Sequence, residues 1–163
     1  MRVLIEDSWL LASSILIGIG LLASSPLVII LGMLVLGAST AGRLWARVSL
    51  EEVYFTRALS ERRLFVGETA ELRLTLENRK GLPVPWIEVR EQLPRDLPLV
   101  GAKMQSSGTP GRAILQRNTA LGRHDRLEWP VTFRAVQRGY YRIGPTRLRS
   151  GDIFGFFDRE EIV

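Results

Sequence analysis

Two arrangements of apolar residues divide the chain. Residues 8–42 contain no charged side chain, an unbroken run of 35 positions. Beyond Arg47 apolar and polar residues alternate instead. In AELRLTLEN (70–78), Leu72, Leu74 and Leu76 fall on one face, and Arg73, Thr75 and Glu77 on the other. The first pattern predicts helix surrounded by lipid, and the second predicts half-buried antiparallel strands.

As one helix the uncharged run would be roughly 52 Å long against a hydrocarbon core of about 30 Å. It divides at Ser24-Ser25-Pro26, because proline lacks a backbone donor and disfavours helix at the residue before it. Residues 9–24 and 27–42 are then expected to form two short spans, a transmembrane α-hairpin within an anchor of residues 1–47. A single span kinked at Pro26 is the competing arrangement. Glu6 and Asp7 stand where a cleaved leader would be basic, so the N-terminus does not read as one. Gly18, Gly20, Gly32, Gly37, Ala38, Ala41 and Gly42 are small enough to let two helices approach closely. Arg43, Arg47, Arg57, Arg62 and Arg63 follow the second span, while the link between the spans is uncharged. The positive-inside rule then places both termini, and everything after the anchor, on the cytoplasmic side of the inner or plasma membrane.

Residues 48–163 carry the strand pattern. WIEVREQL (86–93) alternates Ile87, Val89 and Leu93 with Glu88 and Arg90, and is expected to pair hairpin-fashion with 70–78 across the turn NRKGLPVP. In LEWPVTFRAV (127–136), Leu127, Trp129, Val131, Phe133 and Ala135 share a face, and Pro130 marks an edge strand or a bulge. Further strands are expected at 53–59, 113–117, 140–143 and 146–149, with a mobile Pro/Gly/Ser-rich loop at 94–112. Short strands, turn signals and no helical period predict a mainly β domain, an antiparallel immunoglobulin-like β-sandwich.

Charge and composition narrow the chemistry. The net charge of +5 is carried by arginine, since Lys80 and Lys103 are the only lysines. The arginines are dispersed along strands, so anionic lipid or nucleic acid are secondary partner classes. With no cysteine, disulfides, thiol nucleophiles and Cys-ligated metals are excluded. The single histidine, His124, lies beside Asp125 in a loop without a nucleophile-elbow motif, and one histidine makes a zinc site improbable. Glu71, Glu88 and Glu128 alternate with arginines and are expected in cross-strand ion pairs on a solvated face. Tyr54, Phe55, Trp86, Trp129 and Phe133 fit core packing better than base stacking. No cofactor or metal ligand set is expected, and the chain reads as a non-enzyme. A membrane-associated enzyme with a loop site near His124 and Asp125, or at Asp152, is the alternative.

RGYYRIGPTRLRSGDIFGFF (138–157) is the most distinctive stretch. With the preceding apolar run and RLFVGETAELRLTLENRKGLPVPWIEVREQLP, it resembles bacterial and archaeal proteins of the domain of unknown function 58 family. The specific positions are Arg138, Gly139, Tyr141, Gly144, Pro145, Asp152, Phe154 and Gly155. Ile153 departs from the proline that many members carry after the aspartate. The resemblance implies a structural role for these residues, with strands at 140–143 and 146–149 around a Gly-Pro bend. Asp152 would accept backbone donors in the following turn, and Phe154, Phe156 and Phe157 would close one end of the core. It also implies a membrane-anchored accessory or scaffold protein working with a MoxR-type AAA+ ATPase or other envelope proteins. Family members usually continue into a von Willebrand factor A-like domain. Here the sequence stops at DREEIV as a new strand begins, so the chain is expected to be a fragment of a longer protein, a naturally short protein being the alternative.

Overall fold

The computed structural model describes the backbone of residues 2–163 except 102, 154 and 156, and side chains from residue 8 onward. It is mainly β, with two N-terminal helices and two antiparallel sheets. Helix α1 spans Arg2–Leu22 and α2 spans Pro26–Ser49. The break falls where proline requires it: Ser24 adopts a left-handed backbone (φ 51°) and Pro26 is the first residue of α2, where its missing N–H costs no helical bond. Instead of ending at residue 42, α2 continues to Ser49, because Arg43, Leu44, Trp45 and Ala46 are compatible with helix.

The chain divides into two compact units. One is Met1–Ser49 with Gly151–Arg159; the other is Leu50–Ser150 with Glu160–Val163. In the first, α1 and α2 pack through glycines. A Cβ on Gly32 would stand 2.6 Å from Ile17 Cγ1, and one on Gly20 would stand 2.9 Å from the Ile29 backbone nitrogen. Large apolar side chains turn outward, Leu22, Leu27 and Leu34 being 90%, 75% and 65% exposed. The Ser13, Ser14, Ser39 and Thr40 hydroxyls donate to carbonyls three or four residues earlier, so these polar groups are satisfied within their own helices. Helix α2 is long and apolar enough to cross a membrane, and Ser8–Leu22 is a shorter apolar helix.

The second unit contains most of both sheets, with Gly151 of β8 and the first two residues of β9 assigned to the first unit. One has the order β1-β2-β7-β4, from Val53–Leu59, Thr69–Asn78, Arg126–Arg134 and Leu99–Val100. The other has the order β5-β6-β3-β8-β9, from Gln105–Ser106, Arg112–Leu121, Val84–Pro94, Thr146–Gly151 and Asp158–Ile162. The expected alternation holds: Leu72, Leu74 and Leu76 of β2, Val131 and Phe133 of β7, and Ile87, Val89 and Leu93 of β3 line one buried core with Leu148. Opposite residues keep the faces in phase, as in Leu72↔Val131 and Val89↔Leu148.

Several local expectations fail for identifiable reasons. Strands β2 and β3 do not pair; they lie in different sheets. The buried Asn78 amide donates to the carbonyls of Leu82 (2.9 Å) and Gly122 (2.7 Å), turning the chain out of its first sheet. Residues 140–143 form no strand. The Arg112 guanidinium donates to the carbonyls of Arg142 (2.8 Å) and Gly144 (3.1 Å), which a strand neighbour would otherwise use. Residues 94–112 hold the short strands β4 and β5. Pro130 is tolerated because β4 pairs with β7 only at Thr132 and Phe133, leaving that side of Pro130 unpaired by a strand. The three ion pairs Arg73–Glu71 at 3.0 Å, Arg90–Glu88 at 2.9 Å and Arg126–Glu128 at 2.5 Å join residues two apart on one face of one strand, whereas Arg147 of β8 and Glu160 of β9 pair across strands at 3.4 Å.

The glycine contacts generate a test. Gly32→Leu forces a side chain into Ile17, whereas Gly37 has no atom within 4 Å of its Cβ position. Overpacking of this kind costs about 1–3 kcal/mol. Thermal unfolding in detergent should show a lower midpoint for Gly32→Leu and no change for Gly37→Leu; equal midpoints would contradict the packing.

Candidate functional site

The distinctive stretch is divided between the two units. In the β unit, Gly144 has φ +89°, and a Cβ there would stand 2.9 Å from Arg57 Nη1. The following Pro145 is joined by a cis peptide bond. The Gly144 N–H donates to the Gln92 carbonyl (2.8 Å), fixing the bend against β3. The Tyr141 hydroxyl donates to the Gln137 carbonyl (3.0 Å), and its ring lies 3.6 Å from the Cβ position of Gly139. Gly139, Tyr141, Gly144 and Pro145 therefore form one bent connection into β8.

The arginine against this bend, Arg57, reaches from β1 to the other sheet. Its Nη2 donates to Thr146 Oγ1 (2.8 Å) and the Val163 carbonyl (2.6 Å), and its Nε lies 3.4 Å from Glu91 Oε2. Thr146 in turn donates its hydroxyl to Glu91 Oε2. Glu91 is fully buried, and its Oε1 has no hydrogen-bond partner among the described residues. Burial pushes its carboxyl above the usual carboxylate range, against the opposing pull of the Thr146 hydroxyl and the Arg57 charge. Glu91 also borders a cavity of about 190 Å³ lined by Leu74, Val89, Leu115, Trp129 and Val131. Arg117 lies over the Trp129 ring at 5.6 Å.

In the helical unit, Asp152 is buried, and its Oδ1 accepts the Phe157 N–H at 2.8 Å. Its backbone N–H donates to the Phe157 carbonyl (3.1 Å), and Gly155 takes φ +74° to close the turn. The expected acceptor role of Asp152 is present. Phe157 does not close the β core: it belongs to the helical unit, 3.4 Å from the Cβ position of Gly42, a space only glycine leaves open. Phe154 and Phe156 lie outside the described residues.

His124 and Asp125 occupy the β6–β7 turn. His124 has φ +52°, and the Asp125 carboxylate accepts the N–H groups of Gly122 (3.1 Å) and Arg126 (2.9 Å). Asp125 shapes the turn and does not orient the imidazole through any of these bonds. Among the described residues no cluster of three or more His, Cys, Asp or Glu side chains is arranged to hold a metal ion.

A groove of about 700 Å³ opens at the end of the β unit where β1 and β7 finish. Arg62, Arg63 and Arg138 line it with one acid, Glu61. Phe65 and Tyr140 project from it, 80% and 90% exposed, over a floor that includes the buried Leu97, Phe133 and Ala135. Of the distinctive positions, Arg138, Gly139 and Tyr141 therefore contribute to this surface. Of the aromatics singled out from strand alternation, Phe55 and Phe133 are core and Trp129 packs against it, whereas Tyr54 is 46% exposed, with Arg79 over its ring at 4.6 Å. Two signals in the sequence mark the groove: the apolar triplet Leu64-Phe65-Val66 beside Arg62-Arg63, and the Tyr140-Tyr141 pair that breaks alternation.

No family model matches the chain, and none of the curated proteins does. Partial likeness to solved structures is weak. An exo β-N-acetylglucosaminidase of family GH20 from Vibrio harveyi has 9% identity and a TM-score of 0.43, over 69% of this chain and 18% of that one. A family GH18 chitinase from Chromobacterium violaceum has 14% identity and a TM-score of 0.39, over 69% and 18%. The sporulation control protein Spo0M from Bacillus subtilis has 10% identity and a TM-score of 0.35, over 69% and 47%. The chain thus spans less than half the length of each, and these likenesses assign no activity.

Two outcomes follow from the buried carboxylates. A Glu91 carboxyl held above its unfolded value of 4.5 favours folding fully below that pH. This contribution is lost as pH rises through the raised folded value. Glu91→Gln should therefore unfold a few degrees above the parent at pH 7.5, with the gap closing toward pH 4.5. A gap constant over that range would show that Glu91 does not titrate as described. Asp152→Ala should lower stability by about 1–3 kcal/mol through the orphaned Phe157 N–H. Asp152→Asn, which keeps the acceptor, should recover most of it. Unfolding curves identical to the parent's for Asp152→Ala would sink the structural role.

Proposed function

We propose that this chain is a membrane-anchored, non-enzymatic accessory protein whose β domain docks other proteins. In this reading α1 and α2 cross the inner or plasma membrane as a hairpin, both termini are cytoplasmic, and the β unit is an immunoglobulin-like sandwich. The observation that carries the anchor is the outward apolar surface of both helices. A core helix of a soluble domain would bury Leu27 and Leu34, whereas lipid favours their 75% and 65% exposure. Helix hydroxyls satisfied internally and glycines at the α1–α2 contact support the same reading. Arg43 and Arg47 at the end of α2 favour its cytoplasmic placement. The Tyr141 hydroxyl bonded to a carbonyl four residues upstream, just before a strand, supports the immunoglobulin-like assignment, where a tyrosine corner makes such a bond.

The docking role rests on the groove that exposes Phe65 and Tyr140. By the sequence resemblance, the partners would be a MoxR-type AAA+ ATPase or other envelope proteins. Reporter fusions at each terminus should both be active only in the cytoplasm; an external C-terminal reporter would overturn the topology. Crosslinking in intact membranes, followed by purification in detergent, should retain a defined ATPase or envelope partner. Recovery of the chain alone after efficient crosslinking would count against the accessory role.

A further inference from the structure

We infer that the groove between residues 59–66 and 137–143 binds a short acidic peptide segment of a protein partner, with one apolar side chain seated beside Phe65 and Tyr140. This inference rests on the accessory-protein reading and specifies its partner's chemistry. The volume of about 700 Å³ lies within the range of ligand clefts, about 300–1,000 Å³. Three arginines against one glutamate leave the lining with a net excess of positive charge, 3 − 1 = 2, which complements an acidic segment. Aromatic and arginine side chains together are the residues that most often anchor interfaces. The chain beside both exposed aromatics makes local contacts. The Phe65 N–H donates to Glu68 Oε2 (2.8 Å) next to a turn at Gly67 (φ +99°), and Tyr140 lies between Gly139 and the tethered Tyr141.

The wall chemistry favours a peptide over nucleic acid. Leu59, Leu64, Val66 and Ile143 line the groove, an apolar wall that a phosphate chain would leave uncovered. A single-strand track needs a continuous basic path with bases stacked on successive aromatics. An apolar pocket with a basic rim suits a carboxylate-rich segment that buries one hydrophobic anchor.

The test uses the full chain in nanodiscs and a fluorescent ten-residue peptide of Glu and Asp around one central Phe. Comparison probes are its Lys/Arg counterpart, an oligo-dT strand, and vesicles of neutral lipid with or without anionic lipid. We expect the acidic peptide to bind saturably, with affinity falling as salt rises. Arg62→Glu with Arg63→Glu should weaken it by about tenfold or more, and Tyr140→Ala by several-fold. Arg73→Glu with Arg126→Glu, an equal charge change outside the groove, should have little effect; the unfolding midpoint of each variant reports its folding. Equal loss in both double variants would reduce the effect to net charge and overturn the site. So would failure of the peptide to bind, or groove-dependent binding of the oligonucleotide or anionic vesicles in its place. The groove variants should also lose the partner crosslinked in membranes. If they keep it, the groove assignment fails and the accessory role stands; if the parent binds the peptide yet crosslinks no partner, the accessory role is what fails.

Discussion

The β unit depends on one guanidinium. Arg57 lies on an outer strand of the first sheet, yet its partners Thr146 and Glu91 belong to the second, and Val163 directly follows the last strand of that sheet. Glu91 is a carboxylate removed from water, and an isolated charge there would be costly unless paired or neutralised. The Arg57 charge and the Thr146 hydroxyl both meet one oxygen, while burial works against ionisation from the other side. This arrangement ties β1 to β8 through the Arg57–Thr146 bond. The bend before β8 lies against it, with glycine at 144 because the backbone there takes φ +89° and a Cβ would stand 2.9 Å from the guanidinium.

That centre was only partly legible in the sequence. Alternation in β3 identifies Ile87, Val89 and Leu93 as inward, and the same period puts residue 91 on that face. A glutamate there conflicts with the rule that charged residues face water, and the conflict is itself the signal. What alternation cannot supply is the partner, because Arg57 is 34 residues away and on the other sheet. Strand pairing is hidden for the same reason. The segment 78–85 has turn composition, but whether it folds β3 back onto β2 or into another sheet is decided by Asn78 bonding to carbonyls at Leu82 and Gly122.

The helical pattern was more fully legible, since it rests on composition and on proline. The glycines have different roles that composition alone does not separate. Gly20 and Gly32 meet the opposing helix, and Gly42 makes room for Asp152 and Phe157, whereas Gly18 and Gly37 meet nothing within 4 Å. The stretch 138–157 looked like one motif because it is contiguous. Its first half bends the chain into β8, and its second half belongs with α2, so its fixed spacing serves two packing problems.

This division separates residues that build the fold from one that does not. Tyr141 spends its hydroxyl on Gln137 and its ring over Gly139, and Gly144 makes way for Arg57. Tyr140, between them, is 90% exposed and lies outside the hydrophobic core. An aromatic ring left in water has apolar surface whose burial would contribute roughly 25 cal/mol for each Å². Phe65 presents the same unburied surface across the groove, with arginines at the rim. The fold's internal packing therefore explains Tyr141 and Gly144, and it leaves Tyr140 and Phe65 exposed beside one groove.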